Sequence, residues 1–284
     1  MHRRSLIAGM AIAAAERLSA FSAASGLDVQ KSILISMLPG ELSYLDRFKL
    51  AVDVGFNLME VRSLQDDAEA ARIKDAADKA GLRIHSVMNG IHWRYPLSSP
   101  IASEVEASMA GMRRSLRQAK LYGAGVVLLV PAVVRGDTTY EQAWERSSKQ
   151  IRILLPEAEK LGITIAVEEV WNKFLLTARD FNQFIDQFES PVVRAYFDVG
   201  NIVHYGVPQH WIRQLGKRIV RVHLKDYVRQ SRQFVNLGEG DVNWPAVRGA
   251  LADIGYAGPA TLEIKGGDRS YLQDVSDRVD RLLG

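Results

Sequence analysis

Residues 158–168 read AEKLGITIAVE, and the change of texture at Gly162 decides the fold. Before the glycine, apolar and charged residues alternate at helical spacing. After it, Ile163 to Val167 form an almost unbroken apolar run that stops at Glu168. A glycine after the last periodic residue reads as a helix stop, because only glycine enters the left-handed C′ conformation cheaply. A continuous β-branched run reads as a parallel strand buried on both faces. The same unit recurs as AVDVGFNLMEV (51–61), AADKAGLRIHSV (76–87) and LADIGYAGPATLE (251–263). Gly55, Gly81, Gly123, Gly162 and Gly255 each close a helical stretch in this reading.

Working outward, strands are expected at 33–37, 58–61, 83–88, 126–130, 164–170, 195–199, 219–224 and 260–264. Amphipathic helical stretches fall at 44–54, 68–80, 104–121, 140–161, 178–188, 208–215, 244–254 and 271–283. Strict alternation of eight strands with eight helices favours an α/β fold closed as a (β/α)8 TIM barrel over residues 28–284. A doubly wound sheet is the competitor. It would normally carry a Gly-rich phosphate loop, and the chain has no GxGxxG.

Composition narrows the chemistry. The 284 residues are 47% hydrophobic, ample for one core, with no low-complexity linker to mark a boundary. Thirty-six basic and 33 acidic residues leave a net charge of +3, and the basic residues are scattered, which argues against a nucleic-acid partner. Without cysteine there is no disulfide framework, thiolate site or cysteine nucleophile. Any metal must be held by nitrogen and oxygen.

The N-terminus has a different character. Arg3 and Arg4 precede a mildly apolar run from Leu6 to Ala15 and a small-residue stretch from Ser19 to Ser25. That order is the layout of a twin-arginine export signal over residues 1–27, with cleavage after Ala24 and a periplasmic or exported product. The alternative is an ordinary N-terminal segment of a cytoplasmic protein. The run is too short for stable membrane insertion, which needs about 20 apolar residues.

In a barrel of this kind the active site lies at the C-terminal ends of the strands. Strand five ends at Glu168, strand six at Asp198, strand seven at His223 and strand eight at Glu263. A lone carboxylate behind buried apolar residues is costly unless paired or metal-bound. One such residue alone reads as a helix cap or salt bridge; four in consecutive strands read as the ligands of one divalent ion. Three carboxylates and an imidazole suit Mn2+, Mg2+, Co2+ or Zn2+.

The segments IHWRYPLSSP (91–100), VEEVWNKFLLT (167–177), YFDVGNIVHYG (196–206), RVHLKDY (221–227) and LGEGDVNWPAV (237–247) add a resemblance. The chain resembles the sugar phosphate isomerases/epimerases of the xylose isomerase-like TIM barrel (AP endonuclease family 2) superfamily. The resemblance implies that Glu168, Asp198, His223 and Glu263 bind the metal, and that Glu168 and Glu263 are also the catalytic acid/base pair. The implied reaction moves a proton at a carbon next to a carbonyl, through an enediolate. In characterised ketose 3-epimerases a histidine stands three residues after the Asp ligand, where this chain has Asn201. A substrate-binding arginine six residues after the His ligand corresponds to Arg229, whose other reading is a solvated loop residue.

Further substrate-binding candidates come from position alone. Asn89, His92 and Trp93 follow strand three, where a loop either covers a sugar or packs on the barrel mouth. Asn172 and Lys173 follow Glu168 closely, and Glu60 ends strand two, facing substrate or supporting a basic neighbour. Lys225 and Asp226 read as braces of strand seven. Glu169, next to Glu168, faces the other side of a regular strand and reads as a salt-bridge residue.

The expected partner is a small sugar or sugar derivative; a homo-oligomer is compatible with the sequence. A metal-dependent lyase or dehydratase of a keto-sugar or keto-inositol would use the same site. A non-catalytic sugar-binding barrel would not need two opposed glutamates. A trinuclear DNA-repair endonuclease needs extra histidines, and Asn201 and Asn243 stand in those places. Fusion of residues 1–30 to a folded reporter should direct it across the membrane; a reporter that stays in the cytoplasm would overturn the export reading.

Overall fold

The computed structural model describes residues 27 and 29–284; the export segment expected over 1–27 lies outside the described residues apart from Leu27. Eight parallel strands close a barrel: β1 (Gln30–Leu34), β2 (Leu58–Arg62), β3 (Arg83–Met88), β4 (Val126–Leu129), β5 (Thr164–Glu168), β6 (Val193–Asp198), β7 (Ile219–Leu224) and, after two further strands, β10 (Pro259–Leu262). Neighbours follow chain order, and β1 closes the ring against β10. The helices are α1 (Tyr44–Asp53), α2 (Asp67–Ala80), α3 (Ala102–Tyr122), α4 (Tyr140–Leu161), α5 (Ala178–Asp186), α6 (Val199–Val203), α7 (Pro208–Leu215), α8 (Trp244–Asp253) and α9 (Arg269–Leu283). No helix among the described residues is long and apolar enough to cross a membrane.

Local chemistry sets these boundaries. The five glycines read as helix stops all have positive φ, from 66° to 95°, a region that costs other residues about 1–2 kcal/mol. Ser43, Thr139, Thr177 and Asp268 cap the helices that follow them with side-chain oxygens. β2, β4, β5 and β10 are buried almost throughout, as helices on one face and a filled barrel on the other require.

Three differences from the expected elements concern the site. The first strand lies earlier than 33–37, because Ile35–Met37 turns into a 3-10 helix. Asp198 ends β6 and immediately caps the short helix α6 by accepting from the Asn201 N–H. After β7 the chain forms a hairpin of β8 (Asp226–Val228) and β9 (Gln233–Val235), paired antiparallel with Tyr227 opposite Phe234.

Asp226 anchors that hairpin. Its fully buried carboxylate accepts from the Tyr227, Gly238 and Val242 N–H groups and from the Trp244 indole. Gly240 allows this close approach, since a Cβ there would lie 2.2 Å from Asp226 Oδ1. Charge-assisted hydrogen bonds of this kind contribute about 1.5–3 kcal/mol each. Asp226→Ala should therefore lower the melting temperature by roughly 10 °C in a thermal scan; an unchanged transition would show that the hairpin is not held this way.

Candidate metal and acid–base site

The strand periodicity places the functional groups. Residues two apart on a strand share a face, so β7 sends Arg221, His223 and, just past its end, Lys225 toward the barrel axis in order of height. β6 likewise contributes Tyr196 below Asp198, and β10 contributes Thr261 below Glu263. Glu168, the last residue of β5, completes the upper ring.

Glu168, Asp198, His223 and Glu263 each present a ligand atom, and these four atoms lie within 4.8 Å of one another. His223 is central. Its Nδ1 is 2.9 Å from Glu168 Oε1, 2.8 Å from Glu263 Oε2 and 3.8 Å from Asp198 Oδ2. The other ring nitrogen, Nε2, points inward to Glu60 Oε1 at 3.3 Å. Glu168, Asp198 and His223 are buried, while the Glu263 side chain keeps 21% of its exposure and faces the opening.

Lys225 joins the cluster rather than bracing the strand from outside. Its ammonium lies 2.9 Å from Asp198 Oδ2 and 2.8 Å from Glu263 Oε2, and 5.5 Å from the centre of the Phe234 ring. Gly200 makes room for it, because a Cβ there would meet Lys225 Cβ at 2.5 Å. The signal was present in the sequence: Arg221, His223 and Lys225 alternate with Val222 and Leu224, a period of two.

The environment splits the two glutamates. Burial pushes the Glu168 carboxyl up to about 7, with His223 opposing. Burial acts the same way on Glu263, but the His223 and Lys225 charges outweigh it and hold that carboxyl low. The surrounding acidic groups overcome burial at His223 and hold its imidazole well above the ordinary histidine value. Glu169 is fully buried, and neither carboxylate oxygen has a hydrogen-bond partner among the described residues. Burial, with Asp198 and Glu168 nearby, raises its carboxyl well above the usual range.

The outer candidates divide by what their polar atoms do. Asn172 Nδ2 donates to the Ala132 carbonyl at 2.7 Å and its Oδ1 accepts from the Phe174 N–H, tying the loops after β4 and β5 together. Asn201 donates from its backbone to Asp198 Oδ1 at 2.8 Å and from Nδ2 to the Glu169 carbonyl. Arg229 gives its guanidinium to the Val203 and Gly206 carbonyls and its N–H to Asp241, clamping the hairpin to the end of α6. Lys173 is exposed with a left-handed φ of 62°. His92 is buried with Nδ1 toward the Val130 N–H; burial lowers it to about 4. Trp93, beside it, is 51% exposed. Glu60 is fully buried beneath His223.

Sequence reading did not single out the aromatic wall. The Trp171 ring stacks on Phe234 at 5.0 Å, its indole N–H donates to the Asn201 carbonyl, and both rings are about half exposed. With Lys225 against Phe234, the hairpin forms one side of the opening above the cluster.

The donor set fits a divalent cation. Three carboxylates against the Lys225 ammonium leave two negative charges once His223 has given up its proton, and the ligand atoms share one small volume. Hard oxygen donors with one imidazole match Mn2+, Mg2+, Co2+ or Zn2+.

Comparison with known proteins agrees with this picture of the barrel. The family described as xylose isomerase-like TIM barrel matches residues 48–280. An L-ribulose-5-phosphate 3-epimerase, UlaE, of Salmonella paratyphi C is 26% identical over 242 residues, covering 80% of this chain and 84% of that protein. Among solved structures, the D-psicose 3-epimerase of Clostridium cellulolyticum H10 with D-tagatose superimposes with a TM-score of 0.74 at 18% identity, over 90% of this chain and 99% of that one. The apo 3-keto-D-glucoside 4-epimerase YcjR of E. coli gives 0.76 at 15% identity, over 89% and 98%.

A metal entering this cluster displaces protons from His223 and Glu168. Both are raised, so both hold protons at low pH and release them as pH rises. Affinity for Mn2+ should therefore climb as pH rises toward about 7, where Glu168 releases its proton, and go on climbing above the ordinary histidine range while His223 keeps its own, by up to roughly tenfold per pH unit for each proton displaced. Calorimetric titrations in buffers of differing ionisation enthalpy will count the protons; a pH-independent affinity would contradict the ligand set.

Proposed function

The chain belongs to the xylose isomerase-like TIM barrel family, and from that premise we propose that it is a divalent-metal-dependent sugar epimerase or isomerase. The observation that carries the reading is the meeting of two glutamates from non-adjacent strands, with an aspartate and a histidine, within 4.8 Å at the barrel mouth. Fold alone would not suffice, since barrels host many chemistries.

Asp198, His223, Glu168 and Glu263 are the residues that would hold the metal. When bound, the ion supplies Lewis-acid stabilisation of the negative charge that develops as a proton leaves the carbon next to a carbonyl. The chain's own groups do the rest. Glu168 and Glu263 approach that carbon from β5 and β10, which have β6 and β7 between them in the ring. One takes the proton and the other returns a proton to the opposite face, which is what inversion at carbon requires. Their opposed shifts, Glu168 up and Glu263 down, suit a donor and an acceptor working as a pair. Lys225 keeps a positive charge against Asp198 and Glu263 beside the cluster, and Phe234 with Trp171 offers an apolar wall at the opening.

The substrate class is a ketose, keto-sugar or related derivative. The named relatives act on L-ribulose 5-phosphate and 3-keto-D-glucosides, and these with D-psicose and D-tagatose form the panel to test. Incubated with Mn2+ in D2O, the protein should place deuterium at the carbon next to the carbonyl of its substrate. Glu168→Gln and Glu263→Gln should each lower exchange by about 10²–10⁴-fold. No exchange with any member of the panel would overturn the reading, and loss of a β-substituent without epimer formation would replace it with a lyase.

A further inference from the structure

Beneath the ligand cluster the barrel is unusually polar. Ser32, Glu60, His85, Tyr196 and Thr261 are 0–4% exposed and fill a space that branched apolar residues ordinarily occupy in this fold. They form one connected path. Arg221 Nε donates to His85 Nδ1 at 3.0 Å. His85 Nε2 lies 2.8 Å from Ser32 Oγ and 3.1 Å from Thr261 Oγ1. Thr261 Oγ1 is 3.4 Å from the Tyr196 hydroxyl, and Tyr196 donates to Glu60 Oε2. Glu60 Oε1 then faces His223 Nε2 at 3.3 Å, and neither of these two atoms has a hydrogen-bond partner among the described residues.

The direction of each bond follows from its first member. A guanidinium can only donate, so His85 Nδ1 accepts and a neutral His85 ring carries its proton on Nε2. That proton goes to Ser32 or Thr261, which leaves the Thr261 hydroxyl free to donate to Tyr196 and Tyr196 to donate to Glu60. One carboxylate oxygen is thereby occupied. The other has His223 Nε2 as its neighbour and can only accept from it.

Two irregularities of the sheet bring these groups together. The β2–β3 register slips between Met59 and Glu60, leaving His85 unpaired in sequence between Ile84 and Ser86. The β6–β7 register slips between Ala195 and Tyr196, passing over Val220 just before Arg221. Bulges in parallel pairs are rare and re-aim the side chains beside them. Both lie on this path.

We propose that Glu60, held by Tyr196, is the positioning residue of the metal centre. It faces His223 Nε2 at 3.3 Å as the acceptor for an N–H there, which leaves the Nδ1 lone pair for the ion, with the path to Arg221 fixing which oxygen is free. The inference rests on the metal-site reading above and adds a residue outside the four ligands. A partner of this kind orients the imidazole and raises its basicity, and its loss typically costs on the order of 10- to 100-fold in metal affinity.

The test uses the full chain labelled with 15N-histidine and loaded with Zn2+, which is diamagnetic. In the wild type, His223 should carry its proton on Nε2 and its metal on Nδ1. Glu60→Gln, which keeps the shape but offers a carboxamide, should weaken Zn2+ and Mn2+ binding on the order of 10- to 100-fold and shift the Nε2–H resonance. Tyr196→Phe should do the same to a smaller degree. Melting of the metal-free variants separates folding from binding. Unchanged affinity and an unshifted resonance in a folded Glu60→Gln variant would overturn the proposal, as would a wild-type His223 metallated on Nε2. Failure of the wild type to bind either ion would instead remove the metal site itself.

Discussion

Concentrated negative charge at one end of the barrel is the constraint the rest of the structure answers. Glu168, Asp198 and Glu263 bring oxygens within 4.8 Å of one another. At an effective dielectric constant near 20, two unit charges at that separation repel by about 3–4 kcal/mol. Three such pairs rival the whole stability of an ordinary domain, about 5–15 kcal/mol. The cluster persists because compensation is built around it. His223 touches all three carboxylates, and Lys225 bridges two of them. Gly200 and the hairpin serve the same end, the first by admitting Lys225 and the second by setting an aromatic ring against its ammonium.

A second charge pair lies deeper. Glu60 and Arg221 stand at opposite ends of the polar path and balance each other through neutral groups. An apolar filling of similar volume is often neutral or more stabilising than a buried ionic arrangement. What the polar filling supplies is direction, since each hydroxyl and ring nitrogen has one sense in which it can donate.

How much of this was legible in the sequence follows from the range of each interaction. The helix-stop glycines and the apolar runs are local, so the alternation and the closed barrel could be read from them. Strand ends are local too, and Glu168, Asp198, His223 and Glu263 stand out as ionisable residues after buried runs. Lys225 was visible through period two but was overshadowed by the expectation of strands buried on both faces. The pairing of Glu60 with Tyr196, 136 residues apart in the chain, depends on two register slips that no local pattern announces. Asn172, singled out by position, and Asn201 and Arg229, singled out by resemblance, all direct side-chain donors to backbone carbonyls. Such a commitment depends on loops from other strands.

The continuity of the polar path bears on modularity. In most barrels of this class the chemistry at one rim and the stability at the other are separable, so loops can be exchanged above a passive foundation. Here His223 at the upper rim and Arg221, exposed enough to line a cavity at the lower one, belong to a single chain of contacts. The foundation is not passive. Grafting these loops onto a barrel with an ordinary apolar interior would transfer the four-residue cluster while leaving behind the groups packed beneath His223.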